Sequence, residues 1–107
     1  MSGAEHHCWR EFLGLSTPFV ADQLGVSTKT VNIWESRAEN VPLMANAQMR
    51  KWVTETARVV GILTVKGNDP CTVPRNDDPN ANAMPPSWYR CVACRVAERT
   101  GRGIQWQ

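Results

Sequence analysis

Residues 17–37 read TPFVADQLGVSTKTVNIWESR, and their pattern predicts two short helices joined by a tight turn. Thr17 is a good N-cap and Pro18 suits the first helical position, because its missing N–H would have no helical partner there. Gly25 follows the last apolar residue of the first helix, where a left-handed residue commonly ends a helix. Ser27 offers a second N-cap. We therefore expect one helix before Gly25 and another from Ser27 onward.

The apolar residues of this segment suit a helix-turn-helix unit, in which two helices cross steeply over a turn of three or four residues. Ala21 is small enough to let the two backbones approach. Val26, Val31 and Trp34 are spaced to pack the second helix against the first. The alternative is a helical hairpin with a purely structural role.

The residues at these positions resemble those of a known family. Ala21, Gly25, Val31 and the closing sequence Trp-Glu-Ser at 34–36 resemble the helix-turn-helix of the phage-repressor and Cro-like (Xre-type) transcription regulators. The resemblance implies sequence-specific binding of double-stranded DNA. It also implies a structural ion pair between Arg10 and Glu35, since these positions match a pair that joins the first helix to the recognition helix in that family. The alternative for both residues is a solvated surface charge.

The outward face of the second helix follows from placing Val31 and Trp34 inward. On that face Lys29 can donate to guanine, Asn32 can pair with adenine, and Ile33 suits a thymine methyl group. The alternative for Ile33 is a solitary exposed apolar side chain, which is common on protein surfaces. The predicted base contacts are Thr28, Lys29, Asn32 and Ile33.

Hydroxyl groups and unpaired N–H groups at helix starts can hold DNA phosphates. The predicted phosphate contacts are Thr17, Ser27, Ser36 and Arg37. Capping is an alternative role for Thr17 and Ser27, and the two roles are compatible.

The length and net charge of the chain limit its domain count and the ways in which it could bind nucleic acid. The chain has 107 residues and a net charge of +2, which fits one domain or a small domain with an appendage. It has neither a long apolar run nor a basic-then-apolar leader, so we expect a cytoplasmic protein without a membrane partner. Because the net charge is low, affinity for nucleic acid must come from a local set of donors, doubled by dimerisation. RNA is an alternative nucleic-acid partner.

Cysteine and histidine positions favour neither catalysis nor metal binding. Cys91 and Cys94 form a C-x-x-C pair without the second pair or the nearby histidine that a zinc site needs. A weaker alternative adds His6, His7 and Cys8 from the other end of the chain as ligands. The sequence shows no set of nucleophile, general base and carboxylate in a pattern typical of a catalytic site. We expect a non-enzymatic protein with no metal and no cofactor.

The first helix is predicted from a capping box. Ser2 and Glu5 stand three residues apart, as the reciprocal N-terminal hydrogen bonds of that motif require. The helix is expected to run to Leu13, with Trp9, Phe12 and Leu13 as its apolar face.

A long helix is predicted from Leu43 to about Leu63, with Pro42 near its first turn. Its apolar or small residues recur with gaps of four and three, namely Ala45, Met49, Trp52, Thr56, Val59 and Leu63. Such gaps resemble a coiled-coil seam. The alternative is the core face of a helix that closes the helix-turn-helix bundle, and one long helix can do both.

The C-terminal part is predicted as a small α/β appendage. A Pro/Asn/Asp-rich connection at 67–86 contains a short strand candidate at 71–73. Ser87 is expected to cap a final helix, followed by a short strand at 104–106. Such an appendage buries too little surface to stand alone, so it needs the long helix or a second copy of the chain. The residues predicted to hold a homodimer are Met49, Trp52, Val59, Leu63, Trp88, Val92 and Ile104.

The expected fold is therefore mainly α: a helix-turn-helix bundle of four to five helices with a C-terminal appendage of one helix and two short strands. The expected domains are 1–66 for DNA binding, 67–86 as a connection, and 87–107 as a dimerisation element. This order is also similar, more loosely, to the anti-CRISPR-associated autoregulators. The expected function is a dimeric repressor on an inverted-repeat operator. The alternative is a protein-interaction module, such as an antitoxin-like partner binder, that uses the helix-turn-helix as a scaffold.

Overall fold

The computed structural model describes residues 1–37, 40–65, 70–73 and 84–106. Within these ranges the elements are α1 (Gly3–Phe12), α2 (Thr17–Leu24), α3 (Thr28–Ser36), α4 (Leu43–Val65), β1 (Cys71–Val73), α5 (Pro86–Thr100) and β2 (Ile104–Trp106). The chain is mainly helical with a small C-terminal two-stranded sheet, as the sequence predicted. Among the described helices, none combines the length and the apolar character needed to cross a membrane. The loop predicted at 76–82 lies outside the described residues.

Contacts divide the chain into two compact units, Met1–Val53 and Thr54–Gln107. The division falls within α4. The domain boundaries predicted from composition follow that helix instead, after residues 66 and 86. The two units are described separately.

Helix α1 begins with the capping box that the sequence predicted. The N–H of Glu5 donates to the Ser2 hydroxyl at 3.1 Å, and the N–H of Ser2 donates to the Glu5 carboxylate at 3.2 Å. These reciprocal bonds satisfy two N–H groups that a helix start otherwise leaves without partners. The helix ends at Phe12, and Gly14 turns the chain after it with a left-handed φ of 69°.

The apolar face predicted for α1 is largely wrong. Leu13 is buried, but Trp9 and Phe12 are exposed. The inner face instead carries Gly3 and His6, both buried. Gly3 explains the orientation, because a Cβ atom built there would lie 2.1 Å from the Trp34 carbonyl oxygen. Helix α1 therefore approaches the end of α3 by its backbone at Gly3, and this contact fixes the rotation of α1 that leaves Trp9 and Phe12 exposed.

Helix α2 is capped one residue earlier than predicted. The N–H of Phe19 donates to the Ser16 hydroxyl at 3.2 Å, so Ser16 is the N-cap and Thr17 is the first helical residue. Ser16 and Thr17 both carry a hydroxyl that could cap the helix. Only Ser16 has the extended backbone of an N-cap, because Thr17 is already helical. Gly25 ends α2 with a φ of 69°, as predicted.

Helix α3 begins at the predicted N-cap. The Ser27 hydroxyl accepts from the N–H of Thr30 at 3.1 Å. Val31 is fully buried, as are Val20 and Ala21 of α2. In the same unit, the ring of Phe19 lies 5.7 Å from that of Trp52 between centroids.

The second unit contains the end of α4, helix α5 and the sheet. The indole N–H of Trp88 donates to the buried Thr56 hydroxyl at 2.9 Å. Strands β1 and β2 pair in parallel, with Thr72 opposite Gln105. Ser87 is not the N-cap of α5, because the helix already begins at Pro86. Proline suits a first helical position because no N–H is needed there.

Most of the residues predicted to hold a dimer are core residues of a single chain. Met49, Trp52, Trp88 and Val92 are buried. Their regular spacing therefore reflects the core face of each helix, which is the alternative stated for α4. Of the remaining residues, Val59 and Leu63 are partly exposed and Ile104 is exposed.

Candidate nucleic-acid interface

The exposed side of α3 carries three of the four side chains predicted to contact bases. Lys29, Asn32 and Ile33 are exposed, and Thr28 is half-buried at the first position of the helix. Ile33 has 39% of its surface in contact with solvent, so it has no core role. Val31 on the opposite side is fully buried and fixes the rotation of the helix. Together these side chains form one surface with a cation, an amide, a hydroxyl and an apolar group.

The four residues predicted to contact phosphate lie at ends of helices. Ser27 is exposed at the start of α3, where its hydroxyl is also 2.8 Å from that of Thr30. Ser36 and Arg37 are exposed at the end of the same helix. The Ser36 hydroxyl donates to the Ile33 carbonyl at 3.1 Å, which engages its hydrogen. Thr17 is half-buried in the first turn of α2.

Ser16 is a residue of this surface that the sequence reasoning missed. Its hydroxyl caps α2 and is exposed, so it occupies the place that was given to Thr17. The sequence held no signal that separates the two, because Ser16 and Thr17 are adjacent hydroxyl residues and both suit an N-cap.

The end of α3 is held by Glu35, which is 5% exposed. Arg10 contacts both carboxylate oxygens: its Nε lies 2.9 Å from Oε2, and its Nη2 lies 2.9 Å from Oε1. The remaining Nη1 donates to the Leu15 carbonyl at 3.0 Å. Arg10 and Glu35 thus form the ion pair that the family resemblance implied, and it ties α1 to α3.

His6 joins this pair, whereas the sequence reasoning had considered it only as a weak alternative metal ligand. Its Nδ1 lies 2.7 Å from Glu35 Oε2, and the side chain is fully buried. Within the described part of the chain, His6 Nε2 is buried without a hydrogen-bond partner. His7 also contacts the carboxylate, with Nδ1 2.9 Å from Oε1. The spacing of four between His6 and Arg10 was the available signal, because it places both on one face of α1.

Opposing effects act on the pKa of Glu35. Burial raises it, while hydrogen bonds from Arg10 and His6 and the charge of Arg10 lower it, and the net pKa lies below its ordinary value. Glu35 is therefore a carboxylate at neutral pH, with donors on both oxygens. This arrangement ties the end of α3 to α1.

The N-terminal residues also contact the segment that follows α3. Ser2 and Asn40 form an isolated antiparallel bridge, and the N–H of Val41 donates to the Met1 carbonyl at 3.1 Å. The residues before α1 and those at 40–41 are therefore hydrogen-bonded to each other.

The described residues contain no group of three or more His, Cys, Asp or Glu side chains placed to hold a metal ion. Cys8 and Cys94 are exposed, and Cys71 and Cys91 are half-buried. Burial raises the pKa of the Cys91 thiol, which keeps it protonated at neutral pH.

Comparisons with family models, with curated protein sequences and with solved structures give no match for this chain.

Proposed function

We propose that this protein is a sequence-specific double-stranded DNA-binding regulator that acts in the cytoplasm as a dimeric repressor. The observation that carries the proposal is the exposed side of α3, where Lys29, Asn32 and Ile33 lie together on a helix with a buried anchor. A cation, an amide and an apolar group on one helix face suit the donors, acceptors and methyl groups of a major groove. A purely structural hairpin has no need for an exposed isoleucine among these groups.

The charge of the first unit supports a dimer. Residues 1–53 contain five Lys or Arg and five Asp or Glu, so this unit has no net positive charge. A single copy would gain little from general attraction to phosphates. Two copies on one duplex would double the specific contacts, and an inverted-repeat operator would match their two-fold symmetry.

Selection of bound duplexes from a random DNA pool tests the proposal directly. We expect a recurring motif, and binding to it that weakens as salt is raised. The same selection with a random RNA pool distinguishes RNA from DNA as the partner. Enrichment from neither pool would contradict the proposal and favour a protein-interaction module built on the same scaffold.

A further inference from the structure

Helix α5 carries two thiols that lie about one turn apart. Cys91 is half-buried and Cys94 is exposed. Residues three apart in an α-helix are neighbours on the same side of it. The charges of Arg95, Cys94 and Arg90 all act on the Cys91 thiol, so the two sulfur groups are close together. We call Cys91 and Cys94 the dithiol, and it has no part in the proposed contact with DNA.

The residues between the two cysteines belong to the core of the second unit. Val92 and Ala93 are 3% and 4% exposed, and Val96 is fully buried. Because successive residues of a helix turn through about 100°, these apolar side chains lie on the side of α5 opposite the dithiol. Any change in the backbone between the two cysteines therefore moves side chains of this core.

Regular helix geometry brings the two cysteines close to bonding distance without reaching it. Cα atoms three residues apart in an α-helix are about 5 Å apart, which lies within the range of about 4.4–6.8 Å found in disulfides. The corresponding Cβ atoms are about 5–6 Å apart, whereas a disulfide needs about 3.5–4.5 Å. A bond between the two sulfurs can therefore form only if the helix is distorted locally.

The two thiols differ in the way that a stepwise thiol exchange requires. Cys94 is open to a dissolved reagent, whereas Cys91 is partly shielded. Burial raises the pKa of Cys91, so only a small fraction of it is thiolate at neutral pH. That fraction is sufficient for attack on a neighbour one turn away, because an intramolecular reaction has a high effective concentration. Cys8 is also exposed, but α1 contains no second cysteine.

We propose that Cys91 and Cys94 form a reversible disulfide within α5, through which dissolved thiols and disulfides act on the second unit. The Cys94 thiolate attacks one sulfur of a low-molecular-weight disulfide and displaces the other half as a thiolate. The Cys91 thiolate then attacks the Cys94 sulfur of this mixed disulfide and displaces the second half. The two cysteines lose two protons and two electrons, and the dissolved disulfide is reduced to two thiols.

The strain of this bridge falls on the core of the second unit. Closing it draws Cys91 and Cys94 together and displaces Val92 and Ala93 between them. Strained or exposed disulfides are the ones that are readily reduced and that act in regulation. The bond should therefore open again when reduced thiols are in excess. None of these steps involves DNA, so the proposal can be tested without it.

The test uses the full chain, with oxidised glutathione as the dissolved disulfide. Trypsin cleaves after Arg90 and Arg95, so both cysteines of the dithiol lie in the peptide 91–95, which contains no other cysteine. After oxidation, mass spectrometry should find this peptide lacking two hydrogen atoms. Excess reduced glutathione should restore its original mass.

Variants separate the two steps of the exchange. Cys91→Ser should keep glutathione attached at Cys94, because no second thiol is present to displace it. Cys94→Ser should leave Cys91 with much less attached glutathione, because Cys91 is the shielded thiol. Cys8 provides an internal comparison in the unaltered chain, where it should retain its glutathione while the dithiol closes.

Urea unfolding followed by circular dichroism measures the strain. We expect the equilibrium constant for unfolding to be about tenfold larger for the bridged chain than for the reduced chain, as is typical of a disturbed core. A bridge between residues three apart adds little constraint to the unfolded chain that could offset this effect. Oxidised Cys91→Ser is the matched control, because it carries glutathione without a bridge, and it should unfold as its reduced form does.

Three results would overturn the proposal. The first is glutathione that stays on Cys94 of the unaltered chain, which would mean that Cys91 does not reach it. The second is a bridge from either cysteine to Cys71, which would link the peptide 91–95 to the peptide 67–75. The third is a bridged chain that unfolds as the reduced chain does, which would show that the bond does not act on the core.

Discussion

At the scale of single residues, Lys29 is one of the side chains that we propose contact DNA bases. Its side chain is exposed on α3. A base contact acts at particular base pairs and is worth about 1–3 kcal/mol, whereas a phosphate contact acts on every sequence alike. We therefore expect Lys29→Ala to weaken binding to the preferred duplex by about 1–3 kcal/mol and to a random duplex much less. The check is a titration of both duplexes at one salt concentration.

Lys51→Ala is the control for that experiment, since Lys51 is an exposed lysine on α4 and is not among the residues proposed to contact DNA. It should leave the ratio of the two affinities unchanged. Equal weakening of both duplexes by Lys29→Ala would mean that another side of α3 faces the bases.

Glu35 is a largely buried carboxylate that contacts Arg10 and His6. The pKa of Glu35 is lowered in the folded chain, so its contribution is present above the unfolded pKa near 4.5 and is lost as the pH falls through the folded value. Glu35→Gln removes the charge and leaves Arg10 with a weaker acceptor. We expect the free energy of unfolding to fall by about 2–4 kcal/mol at pH 7 and the difference to shrink toward pH 3.

Urea unfolding at pH 7 and pH 3 measures this difference. Glu11→Gln is the matched control, because Glu11 is largely exposed and should change stability little at either pH. A loss for Glu35→Gln that is the same at both pH values would show that the charge of Glu35 is not what stabilises the fold.

At the scale of elements, the contact between α1 and α3 depends on the absence of a side chain at position 3. A Cβ atom there would lie 2.1 Å from the Trp34 carbonyl oxygen and 2.5 Å from that of Arg37. Because both neighbours are backbone atoms, they cannot turn aside as a side chain would. We expect Gly3→Ala to lower the free energy of unfolding by about 1–3 kcal/mol, measured by urea unfolding.

Gly61→Ala is the control that separates crowding from helix propensity. Gly61 lies within α4 with nothing within 4 Å of an added Cβ atom. It should stabilise the chain by up to about 1 kcal/mol, because alanine favours a helix interior. Stabilisation by Gly3→Ala as well would mean that α1 does not approach α3 so closely.

The elements also show how far the sequence could predict the structure. Local sequence patterns correctly predicted several helix ends and strands. The Ser2 capping box, the end of α2 at Gly25 and both short strands lie at the predicted positions. The outward side of α3 followed from placing Val31 and Trp34 inward, and in the structure Val31 is fully buried and Trp34 half-buried.

Tertiary contacts account for what the sequence could not predict. Trp9 and Phe12 were assigned to the core because they are large and apolar, but the close approach of Gly3 to α3 turns them toward solvent. His6 gained a role only once Glu35 was found beside it. The spacing of apolar residues along α4 could not distinguish the core face of one chain from a seam between two chains, since both have the same periodicity.

At the scale of the whole molecule, a dimer is the arrangement that the proposed function requires. The residues still available for it are Val59, Leu63 and Ile104, since the other predicted dimer residues are buried in one chain. We expect light scattering at micromolar concentration to give about twice the chain mass of 12.0 kDa. The selected operator should then be an inverted repeat with half-sites centred about one helical turn, or a multiple of it, apart.

Ile104→Asp tests which surface holds the two copies. An aspartate in place of the exposed isoleucine of β2 would put a like charge on both copies and disfavour their contact. We expect it to halve the measured mass and to weaken binding to the full operator much more than to a single half-site, because the half-site needs one copy only. Leu43→Asp introduces the same charge at an exposed leucine of α4 and should leave the dimer intact. If Ile104→Asp stays dimeric, the contact between the two copies does not use β2. If the unaltered chain is a monomer, the proposed homodimer is wrong.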